Sequence, residues 1–397
     1  MAALQPRLPH DAAPGPHWQD PRRWLWLLSP LFAFGAAWHV VKFRETGAEF
    51  WLWLLPVVMY GVIPLTDALL GPDTRNPPEA AVKTLEADAY YRLVVVAFIP
   101  FQFAATWWGC AVAADGGLSL AGWVGLVLTV GGINGVAINT AHELGHKRPG
   151  WERWLARVTL APVAYGHFYV EHNRGHHVRV ATPEDPASAR MGESLWAFLP
   201  RTMAGSVVSA WRLEARRLAA KSLPPVHWSN QVLQAWAMTL VLYAALALWF
   251  GPLVLAFLVV QAFYGASLLE VVNYIEHYGL LRAERADGRR EPCDARHSWN
   301  SSHVLSNLFL YQLQRHSDHH AHPGRRYQAL RHCDESPQLP SGYAGMILLA
   351  YVPALWFRVM DPRVVAHYAG DVTRANLHPP HRQALLARQG HGDQAAE

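Results

Sequence analysis

Apolar residues in this chain fall in long, nearly uninterrupted runs separated by polar stretches, and run length sets the predicted architecture. Crossing the hydrocarbon core of a bilayer takes about 20 mostly apolar residues in a helix. Six stretches reach that size: about 24–43, 50–70, 92–114, 118–139, 232–250 and 252–275. One such run also occurs as the core helix of a water-soluble protein, but six in one chain predict an all-α, polytopic membrane protein with six transmembrane helices. The chain then divides into an N-terminal tail (1–23), spans one to four (24–140), a polar region (141–231), spans five and six (232–275), and a second polar region with the C-terminal tail (276–397).

The flanking charges suggest an orientation. Pro6, Pro9, Pro14 and Pro16 break up the leader, so no cleavable signal is expected. Arg22 and Arg23 precede the first run and favour the cytoplasmic side for the N-terminus, and six crossings return the C-terminus to that side. Residues 111–121 and the Phe250-Gly251-Pro252 turn carry no Lys or Arg. Lys147, Arg148, Arg153 and Arg157 follow span four, and Arg212, Arg216, Arg217 and Lys221 precede span five. Lys42 and Arg44 dissent, since they fall in a turn that this topology places outside. Both polar regions then emerge on the cytoplasmic face, where the chemistry is expected.

Composition narrows that chemistry. Among 397 residues, 51% are hydrophobic, 16% are charged and 18 are Trp, which is unusual for a water-soluble enzyme. The net charge of +4 is modest and its basic residues flank the spans, which speaks for topology and an acidic partner and against dedicated nucleic-acid binding. Cys110, Cys293 and Cys333 are isolated, so neither a disulfide framework nor an iron–sulfur or rubredoxin-type site is expected. No dinucleotide-type glycine motif follows a strand pattern. Electrons for any redox step must therefore come from another protein.

Of 22 histidines, nine lie in four groups with metal-ligand spacing: His142-Glu143-Leu144-Gly145-His146, Glu171-His172-Asn173-Arg174-Gly175-His176-His177, Glu276-His277, and His316-Ser317-Asp318-His319-His320. Residues three or four apart share a helical face, so His142/His146, His172/His176 and His316/His319/His320 are each expected to aim one way, every cluster being half a metal site. Taken alone, His142-Glu143-x-x-His146 reads as a zinc-protease pattern with Glu143 as general base. A catalytic zinc takes three protein ligands, which would leave about six clustered histidines without a task. Nine imidazoles suit two metals, and their spacing does not name the element. A ferritin-like di-iron site needs two Glu-x-x-His motifs, and beyond Glu143 to His146 no second one is found. Glu143, Glu171, Asp185, Glu276 and Asp318 are expected to accept ring N–H groups and fix the tautomers behind the metal-facing nitrogens. A metal transporter would want charged residues along its spans, which these spans largely lack.

The segments His142 to Lys147, Glu171 to His177, Asn273-Tyr274-Ile275-Glu276-His277-Tyr278-Gly279-Leu280 and Leu313 to Ala321 resemble the signature boxes of the integral-membrane alkane 1-monooxygenases. The resemblance runs from about Trp24 to Arg363 and takes in Ala181 to Pro186, Arg190 to Ser194 and His297 to Asn300; the tail past Leu377 matches nothing usable. The boxes differ from those of fatty-acid desaturases. The resemblance implies a bacterial inner-membrane enzyme with both termini cytoplasmic and a cytoplasmic, histidine-rich di-iron region. It implies two non-haem iron ions held by His142, His146, His172, His176, His177, His277, His316, His319 and His320, with no flavin, haem or nucleotide. The reaction implied converts the terminal methyl of a linear alkane to a primary alcohol, using O2 and electrons from a rubredoxin that a rubredoxin reductase serves. Methyl groups of xylene-type arenes are the nearest alternative substrate. Met59 is similar in position to a residue that limits substrate length in the family. Arg174, Arg179, Arg315, Arg325 and Arg326 are candidates for meeting the acidic partner. His167, His297, His303, His322 and His332 are expected to stay outside the ligand set.

Overall fold

The computed structural model describes residues 18–388, and among them it is helical with only isolated β-bridges. Six helices are long and apolar enough to cross a membrane: Arg23–Thr46, Glu49–Leu70, Ala89–Asp115, Leu120–Gly145, Gln231–Phe250 and Val254–His277. Side-chain caps start several of them. Asp88 accepts from the Tyr90 N–H, Ser119 from Gly122, and Asn230 from Val232 and Leu233. Gly251, at φ 93°, turns the chain between spans five and six in a conformation that other residues adopt only with strain.

Spans four and six form the centre. Their backbones nearly touch: a Cβ built on Gly135 would lie 2.9 Å from the Gly265 carbonyl oxygen, and one on Gly265 2.8 Å from that of Gly131. Small residues allow this approach, which is how helices gain packing in lipid. The polar atoms buried there satisfy one another, as an apolar medium requires. Asn134 donates to Gln261 Oε1 at 2.7 Å and to Thr106 Oγ1 at 3.1 Å, and Gln261 donates to the Pro162 carbonyl at 2.8 Å. Spans two and five sit outside this pair and expose Leu65, Leu240, Leu248 and Trp249, an apolar surface suited to lipid.

Two boundaries differ from expectation in a way that matters for the site. Spans four and six were expected to end at 139 and 275, where the apolar runs stop, yet the helices continue to Gly145 and His277. The added turns hold buried polar residues that face the polar regions, so His142, Glu143, Glu276 and His277 ride on the same rigid helices that cross the bilayer. The dissenting charges also find a reason. Lys42 pairs with Glu45 at 2.6 Å and Arg44 with Asp115 at 2.9 Å, so both cations are neutralised at that end of the bundle.

The stretch 276–397 is not polar throughout. Helix Tyr343–Ala350 packs beside spans two and six, and after a turn at Tyr351 and Val352 helix Pro353–His367 runs on. Leu348, Val352 and Leu355 are exposed along this hairpin. Its apolar part is shorter than the about 20 residues a crossing needs, which hid it from a length criterion. Beyond Leu377, helix Arg382–Arg388 seats Leu385 and Leu386 in the core; residues 389–397 lie outside the described part, as do 1–17 of the leader.

Candidate metal centre

The nine clustered histidines meet where spans four and six leave the bundle. They fall into two groups, each with its ring nitrogens within 4.8 Å of one another: His142, His146, His172, His177 and His319 in one, and His176, His277, His316 and His320 in the other. The second group is fully buried, whereas His146 and His177 of the first are partly exposed.

The sorting differs from the expected faces. His142 and His146, one helical turn apart, do share a group. His172 and His176 do not, because His172–His176 is a π-helical turn, wider than an α-turn. In that register His172 shares a direction with His177, five residues on, and His176 points to the other group. The last box splits as well: His316 and His320 lie on one side of helix His316–Ala321, and His319 turns to the other. Two of the boxes thus feed both groups, and the expectation that each is half of one site is corrected.

Within the larger group the Nε2 atoms form a chain: His142 to His319 at 2.9 Å, His319 to His177 at 3.1 Å, His177 to His172 at 3.0 Å, and His172 to His146 at 3.0 Å. A neutral imidazole nitrogen carries either one hydrogen or one lone pair, so three nitrogens that each serve two neighbours are not satisfied by hydrogen bonding. In the smaller group His316 Nε2 lies 3.3 Å from His277 Nε2 and 2.9 Å from His320 Nε2, and His176 Nε2 is buried without a hydrogen-bond partner. Converging lone pairs of this kind fit a cation. Donors about 2.1 Å from a metal lie about 3.0 Å apart at right angles but about 3.4 Å apart at the tetrahedral angle. The larger group's spacing therefore suits a five- or six-coordinate transition metal better than tetrahedral zinc. Burial, reinforced by the neighbouring imidazoles, holds His146, His172, His177, His316, His319 and His320 well below the usual imidazole pKa, which keeps their nitrogens neutral and free to donate.

The five nearby carboxylates divide. Asp185 Oδ2 accepts from His176 Nδ1 at 2.9 Å and from Ser188 Oγ at 2.7 Å; Glu276 Oε1 faces His316 Nδ1 at 3.2 Å and accepts from Tyr343 Oη at 2.8 Å. The other three are turned to cations. Glu143 pairs with buried Lys147 at 3.0 Å, Glu171 with Arg179 at 2.6 Å, and Asp318 with Arg325 at 2.7 Å. Glu143, engaged by Lys147 and the Tyr327 N–H, is not presented as the general base of a protease.

Several supports carry no signal in the spacing. The Trp299 backbone N–H donates to the Glu276 carbonyl at 2.8 Å, and Asn300 Oδ1 accepts from the Ser317 N–H at 2.9 Å, so the His297 to Asn300 segment ties the third box to the fourth. Arg315 is buried, not a docking residue, and donates to the carbonyls of Leu330, Asp73 and Arg75 at 2.8 to 3.2 Å. Arg174, Arg179, Arg325 and Arg326 are likewise held by internal acids. His167, His297, His303, His322 and His332 belong to neither group. The His297 carbonyl lies 3.3 Å from His277 Nδ1, and His332 Nδ1 lies 2.9 Å from Ser302 Oγ.

Below the two histidine groups lies an apolar slot. Asn139, Val272 and Leu313, each within about a turn or so before a clustered histidine, line its upper part, and Met59, Tyr60, Gly135 and Leu268 line the rest. Met59 Sδ sits 3.6 Å from where a Gly132 Cβ would be, ten residues before His142 and about 15 Å away along the helix.

Fold and site together define a multi-pass membrane protein with two imidazole clusters over an apolar slot. A family model described as "Fatty acid desaturase" matches residues 117–350. An alkane 1-monooxygenase of Acinetobacter baylyi is 46% identical over 375 residues, covering 94% of this chain and 92% of the relative. One from Ectopseudomonas oleovorans is 44% identical over 383 residues, covering 94% of each. The xylene/toluene monooxygenase hydroxylase component XylM of Pseudomonas putida is 29% identical over 243 residues, 59% of this chain and 63% of that one. The chain belongs to the alkane 1-monooxygenase family.

Proposed function

We propose that this chain is a membrane non-haem di-iron monooxygenase that hydroxylates the terminal methyl of linear alkanes to primary alcohols, with O2 and electrons delivered by a rubredoxin. The convergence of nine imidazoles into two groups, with an apolar slot lined by residues a turn or so before three of them, carries this reading. His142, His146, His172, His177 and His319 would hold one iron, and His176, His277, His316 and His320 the other. Bound there, the iron pair would supply the redox chemistry for reducing O2 and attacking an unactivated C–H bond, which acids, bases and nucleophiles among side chains do not provide.

The chain's own residues do the rest. The slot excludes water and would hold a featureless chain end-on, with Asn139, Val272 and Leu313 directing a methyl group toward the histidines. Met59 lies deep in the slot, where it would limit chain length. Asp185 and Glu276 set the orientation of His176 and His316, and Glu143, Glu171 and Asp318 anchor the cations that brace the boxes. The four-histidine group has one donor fewer, which would leave room there for O2. The partly exposed His146 and His177 face the polar side, from which electrons would come. That side is assigned to the cytoplasm of a bacterial inner membrane, with both termini inside.

The test is direct. Purified protein is assayed for iron and zinc, then supplied with reduced rubredoxin, O2 and a panel of linear alkanes and methyl-arenes. Two irons per chain and primary alcohols from the alkanes are expected. Products from the arenes alone would assign the xylene-type reaction, and a single zinc with activity in the absence of reductant would overturn the proposal. The relatives at 41–46% identity favour alkanes over arenes.

A further inference from the structure

At the deep end of the slot three tyrosines from three separate elements come together. Tyr60 of span two and Tyr264 of span six place their hydroxyls 2.5 Å apart. Tyr351, at the turn between helices Tyr343–Ala350 and Pro353–His367, faces Tyr60. Tyr60 lines the slot itself, and Tyr264 lies 3.9 Å from the position of a Gly132 Cβ, beside Met59. Just outside, Val57, Gly61 and Val62 of span two, Val260 and Phe263 of span six, and Val352 of the hairpin are exposed. The span residues among these lie along the crossing helices and Val352 at the hairpin turn, and together they form an apolar surface suited to lipid. The three tyrosines, each partly buried, therefore stand on the boundary between slot and bilayer.

The local backbone supports a role beyond packing. Tyr60 falls in a π-helical stretch, Val58–Val62, and such turns in membrane helices re-aim side chains at working sites. The slot wall around the pair is largely apolar, so the Tyr264 hydroxyl has little else to bond if Tyr60 leaves, while Tyr60 keeps Tyr351 beside it. A contact of that kind has two states, closed and bonded or open and unpaired, which a uniformly apolar wall lacks.

Resting on the alkane reading, we infer that the Tyr60–Tyr264 hydroxyl pair, with Tyr351 behind it, is a clasp through which hydrocarbon passes from the lipid into the slot, and which biases the enzyme against chains too long for the clasp to close over. Tyr60 and Tyr264 are thereby positioning and specificity residues, remote from the metal groups. The clasp closes on a short alkane and is held open by a long one, so removing the bond removes a cost that only the long chain bears.

The test uses Tyr60→Phe, Tyr264→Phe and the double variant in lipid nanodiscs, since Phe keeps the ring and deletes the hydroxyl. The first reading is the ratio of kcat/KM for n-hexadecane to that for n-octane. It should rise about fivefold in either single variant, the factor equivalent to one hydrogen bond of ordinary net strength, and rise no further in the double variant, because the second deletion has no bond left to remove. The second reading needs neither iron turnover nor a redox partner: the exchange of a doxyl-labelled alkane between lipid and protein, followed by electron paramagnetic resonance, should be faster in both variants. Unchanged ratios and unchanged exchange, with the wild type still oxidising octane, would overturn the clasp and leave the alkane reading standing. Immobilised alkane in a wild type that oxidises none, with faster exchange in the variants, would uphold the clasp against the oxidation chemistry. A loss of thermal stability with neither reading altered would mark the pair as a packing contact and also defeat the inference.

Discussion

Asp185 Oδ2 lies 2.9 Å from His176 Nδ1, with both residues buried, so the ring nitrogen facing away from the metal group is committed as a donor. Ser188 donates to the same carboxylate oxygen, which fixes it in turn. His176 Nε2 is thus left with its lone pair directed at His277, His316 and His320. Replacing Asp185 by Asn keeps the shape and removes the charge. Partners of this kind typically contribute 10- to 100-fold in metal affinity, so Asp185→Asn should lower iron retention after dialysis against a mild chelator by about that range. Retention equal to wild type would mean that the contact does not orient the ligand.

Because the π-turn sends His172 and His176 to different groups, the two histidines should not be equivalent. His172→Ala should weaken metal in the five-histidine group and His176→Ala in the four-histidine group, both with loss of turnover. Mössbauer spectra of protein loaded with one equivalent of iron check this, since the two variants should retain different signals. The same residual signal from both would place the two rings at one metal.

This sorting marks the limit of what the spacing conveyed. The six spans were legible because length and hydropathy are summed over many residues, and the nine histidines because no other task explains so many at such intervals. Which histidine joins which group depended on whether the turn after Glu171 is α or π, a difference of one residue per turn that the spacing does not encode. Sequence adjacency also misplaced the roles of Glu143, Glu171 and Asp318. Neighbouring residues on a helix point about 100° apart, so the residue after His142 faces Lys147 and Tyr327, away from the metal group. The Tyr343–Ala350 helix is too short for its apolar run to stand out by length.

Met59 can be tested through size. Its sulfur packs over Gly132 in the lower slot, where an indole would project across the path of a long chain. Met59→Trp should lower kcat/KM for hexadecane by roughly tenfold relative to octane, in line with the cost of overpacking a filled space. Equal losses for the two alkanes would show that Met59 does not read chain length.

Arg315 offers a test of how the site is held together. Its guanidinium is buried beside His316 and bridges the Gly71 to Asn76 link, through the carbonyls of Asp73 and Arg75, to the Leu330 carbonyl on the other side. Arg315→Met would keep the apolar stem but leave these carbonyls without donors, each unmet group costing about 1–3 kcal/mol. The link carries helix Glu79–Ala87, which also accepts from the Gln328 side chain at the Leu85 carbonyl, so losing the bridge should loosen the fourth box together with that helix. Arg315→Lys, with a point charge in place of a planar fork, should restore only part of the loss. Apparent unfolding midpoints in detergent should therefore fall in the order wild type, Lys, Met, and hydrogen exchange should rise in 71–88 and 316–330 before it rises in the spans. A Lys variant as stable as wild type would mean that charge alone, and not the fork's geometry, secures this bridge.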